Sequence, residues 1–197
     1  MDRKLNQEPH LDAFALLEKH FHGNSEALEI VYLHSRMVAD KALAIATAAN
    51  APQMDLQFIE EAALLHDIGV SLIHAPKLHC FGSEPYIRHG ILGREILEAE
   101  GLPRHALVCE RHIGVGLTAQ DIVDQKLPLP DREMSPVTQC ERIVALADLF
   151  YSKSHGKLDQ EKSTDQVRND LLKFGQEKVV LFERWLKDFG MASTPAR

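Results

Sequence analysis

The feature that most constrains this chain is the apolar run Ala62-Ala63-Leu64-Leu65, which leads straight into His66-Asp67 and is followed by Ile68-Gly69. A run that apolar reads as the inward end of a helix. An aspartate in the last turn of such a helix is doubly disfavoured. Burial strips water from the carboxylate, and the negative end of the helix dipole repels it. A bound cation removes both penalties, and the adjacent histidine offers it a second ligand. The fold must then bring further donors to the same buried point. The chain supplies them in order: His34 ahead of the doublet, and His89, His112 and Asp148 behind it.

The rest of the composition narrows the class. At 197 residues the chain suits one domain with a substantial core. Scarce aromatics, at 6%, favour helix over sheet. A net charge of −7 argues against a nucleic-acid surface. It leaves room for a small phosphorylated ligand, because bound metal ions reverse the local potential. Eleven histidines stand out, of which His10, His20, His22 and His155 read as surface residues. Cys80, Cys109 and Cys140 are odd in number and form no Cys-x-x-Cys pair, so a disulfide framework or zinc ribbon is not expected, and a reducing compartment is. The N-terminal residues Met1 to His10 lack a signal-peptide core, and no run suits a membrane span. The expectation is a cytoplasmic protein.

Helical periodicity dominates. Helices are expected over Asp12–Phe21, then from a Ser25 cap to about Ala49 before Pro52, then from an Asp55 cap to Gly69. Further helices are expected over Tyr86–Glu100, from Pro103 to near His112, and briefly over Thr118–Gln125. Ser135-Pro136 is read as opening a helix through Ser152, and two more near Thr164–Lys173 and Gln176–Phe189 close the chain. Val70–Glu84 and Leu127–Arg132 read as loops, the tail Ala192–Arg197 as frayed, and no segment alternates as a strand should. The expected fold is all-α: an N-terminal helix (1–24), a metal-binding bundle (25–155) and a C-terminal helical extension (156–197) packed on the same domain.

Each site residue also has a plainer reading. His34 lies on the stripe Leu28, Val31, Val38, Ala42, Ile45 and points inward; alone, it would be a core histidine bonded to a carbonyl. Asp148, within Ile143–Phe150, could pair with Arg142, Lys153 or a more distant arginine. His89 could be exposed beside Arg88, and His112 could simply favour a helix C-terminus. Together the set favours a metal. Imidazoles and carboxylates suit borderline divalent ions such as iron, manganese, cobalt, zinc or nickel. Two histidines and two aspartates can hold one ion. Two more histidines, with one aspartate bridging, can hold a second at about 3.5–4 Å, where water between them becomes a nucleophile near neutral pH.

The order His…His-Asp…His…His…Asp on consecutive helices, with its His-Asp-Ile-Gly form, resembles the HD-domain metal-dependent phosphohydrolase superfamily from about His34 to Asp148. In size and six-ligand layout it is similar to bacterial HD-type diadenosine tetraphosphatases. The resemblance implies that His34, His66, Asp67 and Asp148 hold a first metal. Asp67 would bridge as the central catalytic residue, and His89 and His112 would complete a second site. It implies two ions, with iron or manganese favoured, and cleavage of a phosphate ester or anhydride, nucleotide by class, through a metal-bridging hydroxide. Val70 stands where many relatives carry a phosphate-binding lysine, so Lys77, Arg88, Arg111 and Lys153 are the candidate substrate-binding replacements. Ile113-Gly114-Val115-Gly116 follows His112 in place of the Gly-Tyr-Pro signature of the cyclic-dinucleotide phosphodiesterase subgroup. The other readings are a mixed-valent di-iron oxygenase on the same scaffold and a metal-bound nucleotide sensor without turnover. A homodimer through the C-terminal helix is possible, while nucleic-acid and membrane partners are not expected.

Overall fold

The computed structural model describes residues 11–49, 54–154, 156 and 158–191. Pro52, His10, His155 and the tail Ala192–Arg197 lie outside the described residues. The described chain is helical, with helices α1 (Ala13–Phe21), α2 (Ser25–Ala48), α3 (Leu56–Leu65), α4 (His89–Ala99), α5 (Pro103–Arg111), α6 (Ala119–Asp124), α7 (Gln139–Asp148), α8 (Thr164–Leu172) and α9 (Gln176–Asp188). A two-stranded antiparallel hairpin, β1 (His74–Ala75) and β2 (Cys80–Phe81), sits between α3 and α4.

Two apolar clusters organise the molecule, and α2 runs through both. Ala13, Leu17 and Phe21 of α1 join Val31 of α2, Leu65, Ile68, Val70, Leu97 and Ala106 in the first. Val38, Ala42 and Ile45 of α2 join Ile59 and Ala62 of α3, Ile143 to Ala147 of α7, and Phe182, Trp185 and Leu186 of α9 in the second. His34 falls between Val31 and Val38, at the seam. His66 and Asp67 follow Leu65 at the same seam. The polar residues thus emerge where two hydrophobic layers meet, and their burial comes from packing that would exist without them.

Local signals set most helix starts. Asp12 and Asp55 cap α1 and α3 by accepting from the Ala15 and Phe58 amides. Thr118 and Asp121 form the expected capping box on α6. Four boundaries differ from the sequence reading. Asn24, not Ser25, caps α2, its side chain accepting from the Ala27 amide. Helix α3 stops at Leu65, and Ile68–Leu72 tightens into a 3₁₀ turn. Gly69 explains the tightening: a Cβ there would lie 2.1 Å from the His89 carbonyl oxygen and 2.4 Å from the Gly93 nitrogen, so the turn is pressed directly on α4. Residues Tyr86–Arg88 form a 3₁₀ turn, so α4 begins at His89 itself.

The fourth difference is α7. It starts at Gln139 under a Thr138 cap rather than at Ser135-Pro136, and ends at Asp148 rather than Ser152. Met134 exchanges backbone hydrogen bonds with Leu117, which holds the chain extended ahead of the helix. The expected loop Val70–Glu84 also contains structure, since Ile73 and His74 bond to the backbone of Gly82 and Glu84.

Helix α9 buries Phe182, Trp185, Leu186 and Phe189 against α7 and the C-terminal half of α2. Val180 points outward. The amphipathic face is therefore covered by the chain's own core. Trp185→Ala should cost about 3–5 kcal/mol of stability, as expected for emptying a buried tryptophan site, while the folded fraction keeps its metal content. Urea unfolding followed by metal analysis of the native pool checks both. A folded mutant of normal stability that has lost metal would show that α9 supports the site directly.

Candidate metal centre

The six residues singled out in the sequence come from five places and meet at one point. His34 comes from the middle of α2, His66 and Asp67 from the end of α3, His89 from the first turn of α4, His112 from the end of α5, and Asp148 from the last residue of α7. Helices α4 and α5 can pack closely because Gly90 and Gly93 face Cys109; Cβ atoms there would meet its carbonyl oxygen at 2.8 Å and its Cβ and Sγ at 3.2 Å. The Cys109 thiol donates to the Leu65 carbonyl and ties α5 to the end of α3.

Asp67 is the hub, and it is fully buried. Its Oδ2 lies 3.1 Å from His66 Nε2 and 3.4 Å from His34 Nε2. Its Oδ1 lies 3.5 Å from His89 Nε2 and 3.6 Å from His112 Nε2. Asp148 Oδ1 accepts from His34 Nε2 at 2.9 Å and lies 3.5 Å from His66 Nε2. Asp67 follows α3 rather than ending it, in the N-cap position of the 3₁₀ turn, where its side chain makes no capping bond. Asp67 Oδ1 is buried without a hydrogen-bond partner among the described residues, and Oδ2, though it lies beside Lys153, makes no aligned hydrogen bond. Buried polar atoms left this way are costly. They point to a group that accepts electron pairs.

Three of the four histidines are oriented the same way. His66 Nδ1 meets the Ala63 carbonyl at 2.6 Å, His89 Nδ1 meets Tyr86 at 2.7 Å, and His112 Nδ1 meets Cys109 at 2.8 Å. Each partner is the carbonyl three residues earlier. A carbonyl only accepts, so Nδ1 carries a proton in each and Nε2 is the atom turned toward the site. His89 and His112 then set two Nε2 lone pairs 3.1 Å apart. A proton between them is disfavoured. Burial, aided by the Lys153 charge, holds the His89 imidazole below its ordinary value, and burial, with His66 and His89 close by, lowers His112 to about 3. A metal ion between them would satisfy both lone pairs at once.

Among the described residues, two donor sets lie close enough to hold an ion: His34, His66 and Asp148, and His66, Asp67 and His112. Burial works against both carboxylates, but the surrounding cationic groups outweigh it, so Asp67 and Asp148 stay ionised well below the usual carboxylate range. The donor chemistry fits a borderline divalent metal.

An open cleft of about 590 Å³ adjoins this point, lined by Ala75, Lys77, Leu78, Tyr86, Ser152, Lys153 and Ser154. Of the four basic residues considered for substrate, Lys77 and Lys153 line it. Lys153 reaches inward to Asp67, its Nζ 2.7 Å from Oδ2. Arg88 instead pairs with Glu84 at 2.8 Å and donates to the Pro128 carbonyl, and Arg111 donates to the buried Glu141 at 3.0 Å. Both arginines are occupied by neighbouring acceptors and do not line the cleft. The plainer reading of Asp148 as a salt-bridge residue finds its closest contact in His34 rather than Lys153.

Tyr86 was not singled out in the sequence. Its carbonyl orients His89, its ring stands 4.8 Å from the His89 ring, and it forms part of the cleft wall. The one signal available was its place three residues before a candidate ligand, the spacing shared by Ala63 and Cys109. Of the histidines read as surface residues, His22 is exposed, while His20 is half-buried against Glu100 at 2.8 Å.

This bundle, with histidines and aspartates converging at its centre, defines an HD-type metal-binding protein, and the HD domain family model matches residues 31–152. The chain belongs to that family, and so to the HD-domain metal-dependent phosphohydrolase superfamily. It is 37% identical to an uncharacterized protein of Methanocaldococcus jannaschii over 66% of this chain and 72% of that one. It is 34% identical to a tRNA (cytidine(56)-2'-O)-methyltransferase of Thermoplasma volcanium over 78% of this chain, and 36% identical to that of Picrophilus torridus over 50%. It spans only 40% and 25% of those two proteins. Among solved structures, the HD domain of the L. monocytogenes phosphodiesterase PgpH shares the fold. Its TM-score is 0.53 at 17% identity, covering 89% of this chain and 95% of that one.

Metal uptake should expel a proton. Burial disfavours the His66 imidazolium, but Asp67 and Asp148 outweigh burial and raise it to about 10 in the metal-free protein. Coordination needs the neutral ring. Below that value an ion bound by His66 must displace the proton, so its apparent affinity should rise about tenfold per pH unit between pH 7 and 9. Calorimetry in two buffers of different ionisation enthalpy reads the proton directly; uptake without release would contradict the assigned state of His66.

Proposed function

We propose that this protein is a phosphohydrolase that uses two divalent metal ions, iron or manganese before cobalt, zinc or nickel, to cleave a small phosphorylated substrate of the nucleotide class. The observation that carries the reading is Asp67. Its two oxygens face two separate histidine pairs, His34 with His66 and His89 with His112, beside a cleft that holds Lys77 and Lys153. A carboxylate set between two donor groups is what a two-metal site requires.

His34, His66 and Asp148 would hold one ion, His89 and His112 the other, and Asp67 both. Ions held so would polarise phosphoryl oxygens and make water between them acidic near neutral pH. The protein's own part is orientation and dryness. Carbonyls fix three of the four rings, and the two apolar clusters keep bulk water from Asp67, strengthening each charge interaction around it. Lys77 and Lys153 bring positive charge to the cleft where a phosphoryl group would lie. The cleft also offers Tyr86 and Leu78 as apolar surface for the rest of the substrate.

Two variants test the reading. His89→Ala/His112→Ala should fall from about two metals per chain to about one; unchanged metal content would remove both from the ligand set. Asp67→Asn should lose about 100- to 1000-fold in phosphate release, the range seen when a group central to charge stabilisation is removed, with circular dichroism unchanged. The assay is phosphate release from a nucleotide panel by anaerobically purified protein supplied with iron, manganese or cobalt. Full activity in Asp67→Asn would sink the bridging role. Nucleotide binding with no turnover would assign the protein to sensing, and oxygen-dependent turnover to oxygenase chemistry.

A further inference from the structure

Lys153 touches two places that a phosphohydrolase must keep distinct. Its ammonium lies 2.7 Å from Asp67 Oδ2, the oxygen that also faces His34 and His66. Its side chain is only 11% exposed there. Yet the same residue, flanked by Ser152 and Ser154, lines the open cleft together with Lys77. Helix α7 has already ended at Asp148, and residues 151–153 have no helical or strand structure, so no helical ladder fixes the direction of this side chain. An ammonium at contact distance from Oδ2 and a divalent ion on that oxygen would crowd and repel one another. One must leave when the other arrives.

We infer that Lys153 is an internal counter-cation: it neutralises Asp67 in the metal-free protein, is displaced into the cleft when metal binds, and there joins Lys77 to hold the phosphoryl group of the substrate. The inference rests on the two-metal reading above and adds an order of events to it. A lysine suits the task because its compact charge rides on a flexible four-carbon stem. Held on Asp67, it adds to His66 in compensating a carboxylate that is buried and ionised, a costly state without such partners. Displaced, it has only a short way to go, since the cleft begins at its own backbone. Metal and phosphate binding then become coupled. Phosphate meets a free lysine only in the loaded protein, and by linkage phosphate tightens the hold on metal.

The test uses the full chain and two measurements. In Lys153→Gln the competitor is gone, so metal affinity by competition with a chromophoric chelator should increase by roughly tenfold or more, as when a conformational restriction on a binding-competent state is removed. The loaded mutant should bind inorganic phosphate at least about fivefold more weakly than loaded wild type, the lower end of ordinary coupling. Unchanged or weaker metal affinity in the mutant, or unchanged phosphate affinity, would overturn the inference. The second measurement needs no mutant. Amine-reactive labelling of wild type, read by peptide mass spectrometry, should show Lys153 protected without metal and reactive with it, while Lys173, 69% exposed in its side chain, labels equally in both states. Equal or lower labelling of Lys153 in the loaded protein would overturn the inference even if the mutant did not fold. If neither wild type nor mutant binds metal, the two-metal reading itself fails, and that result is distinct from a wild type that loads metal with Lys153 unmoved.

Discussion

The whole arrangement depends on keeping one ionised carboxylate, Asp67, out of water. A buried, unpaired carboxylate is among the most expensive groups a fold can carry, and it persists only where cations or donors surround it. Here His34, His66, His89, His112 and Lys153 all turn to it. The apolar clusters on either side supply the stability that this concentration of charge does not. The geometry around Asp67 explains features that look unrelated: the glycine at 69, the close approach of α4 and α5, and the three histidines tied to carbonyls one turn back.

Division of labour follows from the two oxygens. The Oδ2 side meets the histidines of α2 and α3 near Asp148, with Lys153 against it. The Oδ1 side meets the histidines of α4 and α5, whose Nε2 atoms confront each other. The first side can be neutralised by the chain itself. The second has no internal cation within reach among the described contacts, and its two lone pairs oppose one another. On the two-metal reading proposed above, this asymmetry would make the His89–His112 side the part of the site most dependent on an ion.

Much of this was legible in the sequence because it is written in short-range patterns. The inward direction of His34 follows from its stripe on α2, and the burial of Asp67 and half-burial of Asp148 follow from the apolar residues that precede each. Caps at Asp12, Asp55 and Thr118 stand where local chemistry puts them. What escaped depends on contacts distant along the chain. Helix α7 starts late because Met134 pairs with Leu117. The hairpin His74–Ala75 with Cys80–Phe81 is too short to show alternation. Arg88 and Arg111 are absent from the cleft because Glu84 and Glu141 hold them, and Lys153 reaches Asp67 only because α7 stops at Asp148. No spacing rule connects position 67 to position 153.

The central claim is that Asp67 lies between two metal ions. Crystals of the anaerobically purified, manganese-loaded protein, measured for anomalous scattering at the manganese edge, test it most directly. The account predicts two anomalous peaks that both contact Asp67, one beside His34, His66 and Asp148 and one beside His89 and His112. A single peak that leaves His89 and His112 in mutual contact, or no peak at Asp67, would contradict it.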